Sequence, residues 1–122
     1  MALSALRNQM TAERLDRFAR AWLRCDLDEL GDYLTADVVY SPVCGEVVLG
    51  REAVVRRFAE VLTEDADSAL QFEPSRVSGS LGTCRWRLAG RTSERASFEI
   101  EGIDVYEFDG DLIRSKDVYQ KA

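Results

Sequence analysis

A chain of 122 residues, 46% hydrophobic and 31% charged, has the composition of one globular unit and no room for a second core. Its net charge of −6, with both signs interspersed, repels phosphate backbones and anionic lipid and so argues against nucleic acid or a membrane surface as partner. The three cysteines, Cys25, Cys44 and Cys84, are too scattered for a disulfide framework or a metal site, and neither a signal peptide's apolar core nor a membrane-length apolar run is present, which together point to the cytoplasm.

The first ten residues are expected to be extended or poorly ordered. From Thr11, a plausible N-cap, Leu15, Phe18, Ala19, Trp22 and Leu23 recur at helical spacing. Asp26 then caps a second, shorter helix, with Glu29 three residues on in capping-box position and Leu27, Leu30 and Leu34 on its apolar side. Asp37 to Ser41 reads as a short strand stopped by Pro42, and Val47 to Leu49 returns beside it after a turn at Gly45. Gly50 opens a third helix, with Val54, Val55, Phe58, Val61 and Leu62 on one face; Arg51, Arg56 and Arg57 fall on its polar side and read as solvated surface.

From about Leu70 the period becomes two, giving three or four strands. In the segment Arg95 to Phe108 the even positions Ala96, Phe98, Ile100, Gly102, Asp104, Tyr106 and Phe108 form an apolar face, and Cys84, Trp86 and Leu88 share its phase. The charged residues Arg85, Arg87, Glu99, Glu101, Arg114 and Lys116 take the opposite face. Asp109-Gly110 signals a two-residue hairpin that would set Phe108 opposite Asp111, Tyr106 opposite Ile113 and Asp104 opposite Ser115. Three helices followed by strands give an α+β fold in one domain, residues 1–122, with the helices packed on the concave face of a curved antiparallel sheet.

These segments resemble the nuclear transport factor 2-like superfamily, in particular its SnoaL-like and ketosteroid isomerase-like members. The similarity is carried by Cys25-Asp26-Leu27-Asp28, where the family commonly has Gly-Asp, by Asp37 to Pro42, by Leu49-Gly50-Arg51-Glu52-Ala53-Val54 and by Gly102 to Ile113. The resemblance implies a cone-shaped fold with a deep apolar cavity, often dimeric through the outer, convex sheet face. Its members range from isomerases, cyclases, dehydratases and epoxide hydrolases to proteins without catalysis, so the fold leaves function open.

Asp104 is the sharpest chemical signal: an acid in the apolar phase of its strand, which burial drives toward the neutral form unless a cation pairs with it. The resemblance places it where isomerase-like relatives carry an acid that hydrogen-bonds an oxyanion. Asp117 shares the expected facing of Ser115 and Tyr119 and is the candidate second carboxyl group for acid–base work. Tyr40, Trp86, Tyr106, Ser115 and Tyr119, with Phe18 and Phe58, are the candidate pocket residues. Against catalysis, Ser41 or Pro42 stands where isomerases have their base, Phe18 stands in for their tyrosine, and the chain has no histidine. The expectation is a cofactor-free, metal-free pocket for a small, mostly apolar molecule, with acid–base chemistry as one option. The other is a non-catalytic binding module or a dimeric scaffold whose cavity is filled by its own side chains.

Overall fold

Residues 2–91 and 97–122 are described by the computed structural model of the chain. The long first helix, α1 (Ala2–Leu23), buries the expected stripe of Leu15, Phe18, Ala19 and Trp22. It begins at Ala2, so the segment expected to be extended is helical, and Thr11 lies inside the helix rather than capping it. Leu3, Leu6 and Met10 recur at helical spacing along this extension but stay exposed, and its contacts to the rest of the fold are polar. The Asn8 side-chain oxygen accepts from the Gly79 backbone N–H at 3.0 Å, and further along the helix Asp16 accepts from the Ser75 N–H at 2.9 Å while Arg14 donates to the Asp111 carbonyl at 2.8 Å.

The helix ends in a reversal in which the Asp26 N–H reaches the Ala21 carbonyl and the Cys25 N–H reaches that of Trp22, both at 3.0 Å. This is the pattern of a Schellman C-cap, and it puts Cys25 at a φ of 57°, a left-handed conformation that glycine usually occupies. Asp26 then caps α2 (Leu27–Asp32), its carboxylate accepting from the Glu29 N–H at 3.1 Å. The reciprocal half of the capping box does not form. The Glu29 carboxylate instead takes Arg24 at 2.7 Å and the Tyr33 hydroxyl at 3.4 Å. The third helix, α3 (Arg51–Glu64), buries Val54 and Phe58, and both Nε and Nη2 of Arg51 hold the Leu34 carbonyl, at 3.1 and 2.9 Å. Arg51 thus stays exposed, as its polar-side position predicts, while tying the start of α3 to the sheet.

The strands are β1 (Leu34–Ser41), β2 (Val48–Leu49), β3 (Ala69–Phe72), β4 (Arg76–Ser78), β5 (Leu81–Gly90), β6 (Phe98–Asp109) and β7 (Leu112–Gln120). Their order across one curved sheet is β2-β1-β7-β6-β5-β3, with β4 also on β5. Among the described residues five strands, rather than three or four, follow α3. The fold is the expected α+β arrangement with helices over one sheet face, and within the sheet β1 and β7 pair in parallel. Arg95 and Ala96, the first residues of the expected long strand, lie outside the described residues.

The apolar phase of β5 and β6 is as the alternation predicts: Cys84 sits opposite Asp104, Trp86 opposite Gly102 and Leu88 opposite Ile100. The β6–β7 register differs. Asp109 pairs with Leu112 around a Gly110-Asp111 turn in which Gly110 has a φ of 60°, and Phe108 pairs with Ile113. A β-bulge then follows, because Glu107 pairs with Ser115 and Arg114 is the extra residue. A one-residue slip inverts every side chain beyond it. Asp104 therefore faces Val118, not Ser115, and Tyr106 faces Lys116, not Ile113.

Four expected positions change with the bulge. Ser115, Asp117 and Tyr119 pair with Glu107, Val105 and Ile103 on the convex face, where Tyr119 is 56% exposed, while Lys116 turns inward and is 4% exposed. The other expected convex charges do stand outside, pairing as Arg87 with Glu99 and Glu101, Arg85 with Glu73, and Arg114 with Glu107, at 2.9 to 3.4 Å. Such exposed pairs contribute at most about 1 kcal/mol each.

Candidate functional site

Rows of paired residues run across the concave face. One is Tyr40, Lys116, Tyr106 and Gly82; the next is Val118, Asp104 and Cys84; a third is Gln120, Gly102, Trp86 and Phe72. Lys116 and Asp104 are thus diagonal neighbours on adjacent strands, close enough for a long side chain to bridge. The Lys116 ammonium lies 2.6 Å from Asp104 Oδ2 and 3.1 Å from the Tyr106 hydroxyl, with the two charged side chains only 6% and 5% exposed. The cation that Asp104 requires if it is to stay charged is therefore supplied by a residue that strict alternation puts outside.

The remaining contacts of Asp104 fix its orientation. Trp86 Nε1 donates to Oδ1 at 3.0 Å, and the Tyr106 hydroxyl donates to Oδ2 at 3.1 Å. The indole reaches this position because it lies flat over Gly102, where any Cβ would collide with the ring and with the Tyr119 carbonyl. The ammonium also lies over three aromatic rings, at 5.2 Å from the centre of Trp22, 5.9 Å from Tyr40 and 5.1 Å from Tyr106. Asp104 and Tyr106 take two of its three hydrogens. Among the described residues the third has no hydrogen-bond partner, and Lys116 lines a pocket of about 260 Å³.

The pocket walls are apolar: Trp22 from α1, Val61 from α3, and Leu70, Leu88, Ile100 and Val118 from the sheet. Exposed Val43, Cys44, Glu64 and Gln120 contribute to its rim, as do Pro42, Asp65 and the half-buried Arg57. Arg57 was expected on the solvated side of α3; it instead borders the pocket, 3.4 Å from both Glu60 and Glu64. The volume lies just below the range of about 300–1,000 Å³ common for ligand sites, which suits a molecule smaller than a typical drug.

The two phenols are held as neutral donors. Burial, with the Asp104 charge second, pushes Tyr40 up to about 12 and Tyr106 well above the ordinary tyrosine value. Burial likewise pushes the Cys84 thiol up to about 11, so it stays a packing group and not a thiolate.

Of the candidates read from the sequence, Asp104, Tyr40 and Trp86 line this pocket, and Tyr106 supports it from behind. Phe18 and Phe58, 2% and 0% exposed, belong to the core beneath, where Phe58 meets Trp22 and Tyr40 edge-on at 4.9 and 5.0 Å. Ser115, Asp117 and Tyr119 are not part of it. Sequence reasoning missed Lys116 and Arg57. For Lys116 one signal existed: only two of the chain's 16 basic residues are lysines, Lys116 and Lys121, and a chain that otherwise uses arginine has a lysine beside its buried acid.

A curved sheet roofed by helices, with an apolar pocket and a charge pair at its base, defines an α+β domain with an open pocket between helices and sheet. The chain belongs to the SnoaL-like domain family, whose model matches residues 15–116. Solved structures share its fold at low identity. A nuclear transport factor 2-like protein of unknown function from Mesorhizobium loti is 22% identical with a TM-score of 0.79, covering 95% of this chain and 94% of that one. A putative polyketide cyclase from Xanthomonas campestris pv. campestris is 16% identical with a TM-score of 0.76, covering 94% and 93%. SalBIII, an epoxide hydrolase/cyclase-like enzyme of pyran ring formation in the polyether salinomycin, is 19% identical with a TM-score of 0.77, covering 93% and 92%. No functionally curated protein matches the sequence. Among the described residues no helix is long and apolar enough to cross a membrane.

Proposed function

We propose that the pocket binds a small, largely apolar molecule through one carbonyl, enolate or phenolic oxygen, and that Lys116 and Asp104 act on it as an acid–base pair of isomerase or cyclase type. The observation that carries this reading is the buried ion pair at the base of an open apolar pocket, with one ammonium hydrogen left for a ligand oxygen. A charge that develops on that oxygen during proton transfer meets a cation fixed beforehand, and the Asp104 carboxylate lies beside it as a base. The cyclase-like relatives support the reaction class by fold alone. No cofactor is required for such proton transfers.

A non-catalytic binding module is the second reading, favoured by Ser41 and Pro42 standing where isomerase-like relatives keep a base. A scaffold with a filled cavity is the weaker form of it, since the pocket is open. Both tryptophans, Trp22 and Trp86, line the pocket, so intrinsic fluorescence reports on it directly. Titration with small cyclic ketones, phenols and their hydrocarbon counterparts is the test. Oxygen-dependent quenching that Asp104→Asn weakens supports the site, and equal response to hydrocarbon and ketone overturns it. An Asp104-dependent inflection in the pH dependence of turnover separates enzyme from binder. We also propose a homodimer through the convex face, held by its charged ladder and therefore weakened by salt in sedimentation. A cytoplasmic location is proposed on its unpaired thiols.

A further inference from the structure

We infer that Lys116 is an amine nucleophile that forms an imine with a small aldehyde or ketone in this pocket. The inference rests on the proposed carbonyl-binding role of the same site. An activated nucleophile is recognised by a base within hydrogen-bond reach that is itself oriented by a third group. Lys116 meets each condition: Asp104 Oδ2 lies 2.6 Å from its nitrogen, and Asp104 is held on its other oxygen by Trp86 Nε1 at 3.0 Å.

Attack begins when the shared proton moves from Nζ to Oδ2 across their 2.6 Å contact, which turns the buried ion pair into an amine beside a carboxylic acid with no change in net charge. The amine lone pair then adds to the carbonyl carbon, and the carbonyl oxygen takes a proton from the Asp104 acid. The adduct nitrogen then passes one of its protons to the Asp104 carboxylate, and Asp104 delivers it to the hydroxyl group, which leaves as water while the nitrogen lone pair forms the C=N bond, giving a protonated imine beside the Asp104 carboxylate. One C=N bond replaces one C=O bond, one water leaves, and nothing is oxidised or reduced. The imine so formed withdraws electrons from the adjacent carbon, whose proton the Asp104 carboxylate is placed to accept. That activation joins the amine to the acid–base chemistry proposed above.

The choice of cation fits this role. A guanidinium stays protonated and forms no imine, yet arginine is the basic residue nearly everywhere else in the chain. The other lysine, Lys121, is a built-in control: its side chain is 72% exposed and 3.8 Å from Glu101 on the convex side.

The test is reductive trapping of the intact protein with benzaldehyde and sodium cyanoborohydride, followed by peptide mass mapping, with benzyl alcohol binding followed in parallel by tryptophan fluorescence. The expected result is N-benzylation of Lys116 ahead of Lys121 and the amino terminus, competed by benzyl alcohol, slowed by about a hundredfold in Asp104→Asn and absent in Lys116→Arg. Labelling confined to Lys121 and the amino terminus while benzyl alcohol still binds overturns the imine and leaves the pocket reading intact. Absence of both binding and Lys116 labelling overturns both. The site of labelling in the unsubstituted protein decides the matter even if a variant fails to fold.

Discussion

Replacing Lys116 by methionine preserves most of the apolar stem and removes the ammonium. Asp104, with a side chain 5% exposed, then keeps only the Trp86 and Tyr106 donors. Removing one partner of a buried pair costs about 3–5 kcal/mol, because the other charge is left uncompensated. The two surviving neutral hydrogen bonds set the expectation at the lower end, about 3 kcal/mol, which is a large part of the roughly 5–15 kcal/mol that stabilises a typical domain. Urea denaturation followed by far-UV circular dichroism measures this directly, as a midpoint shift of about 2 M at an ordinary slope near 1.5 kcal/mol/M. Adding Asp104→Asn to the same chain removes the stranded charge, so the double variant should be more stable than Lys116→Met alone. A loss below about 1 kcal/mol with unchanged slope would refute the reasoning, because it would mean that the pair is hydrated and not dry.

Further outcomes follow from the same contacts. Gly102→Ala forces the Trp86 indole off its bed and breaks its bond to Asp104, with an expected loss of about 2–3 kcal/mol in denaturation and a red-shifted tryptophan emission. Cys25→Gly relieves a left-handed non-glycine residue at the end of α1 and should raise stability by about 1 kcal/mol, read as a higher urea midpoint. Tyr40 holds its proton to about 12 when folded, through burial first and the Asp104 charge second, against 10.0 for the ordinary side chain. Its contribution is present in full below pH 10 and disappears as the pH climbs toward 12, a fall of up to about 3 kcal/mol, with Tyr106 acting in the same direction. Urea midpoints across that window, with phenolate absorbance recorded alongside, check the sign. Thiol titration near neutral pH should count Cys25 and Cys44 in the native protein and add Cys84 only on unfolding.

The fold was largely readable because its determinants are local and periodic. The helical stripes, the cap at Asp26 and the alternation along β5 and β6 are each set within a few residues, and the buried phase of Asp104 followed from that alternation alone. Its partner was hidden for a specific reason. Period-two reasoning carries a facing forward until something breaks the count, and nothing about Arg114 as a residue type marks it as the extra member of a bulge. From there on Ser115, Asp117 and Tyr119 were read inward and Lys116 outward. The first turns of α1 were missed for the opposite reason, since they are fixed by Asn8 meeting a distant turn and not by a buried stripe. Arg57 was taken for surface because a helical wheel does not show which polar flank borders a pocket.

The bulge at Arg114 also sets rules for rebuilding this pocket. Along β7 it works as a phase shifter: Ile113, on an odd position, points inward, and so do Lys116 and Val118, on even ones. A combinatorial library aimed at the ligand should therefore vary positions 116, 118 and 120 and leave 115, 117 and 119 for work on the outer surface. A chain redesigned with perfect alternation from Ile113 onward would place its pocket chemistry in solvent.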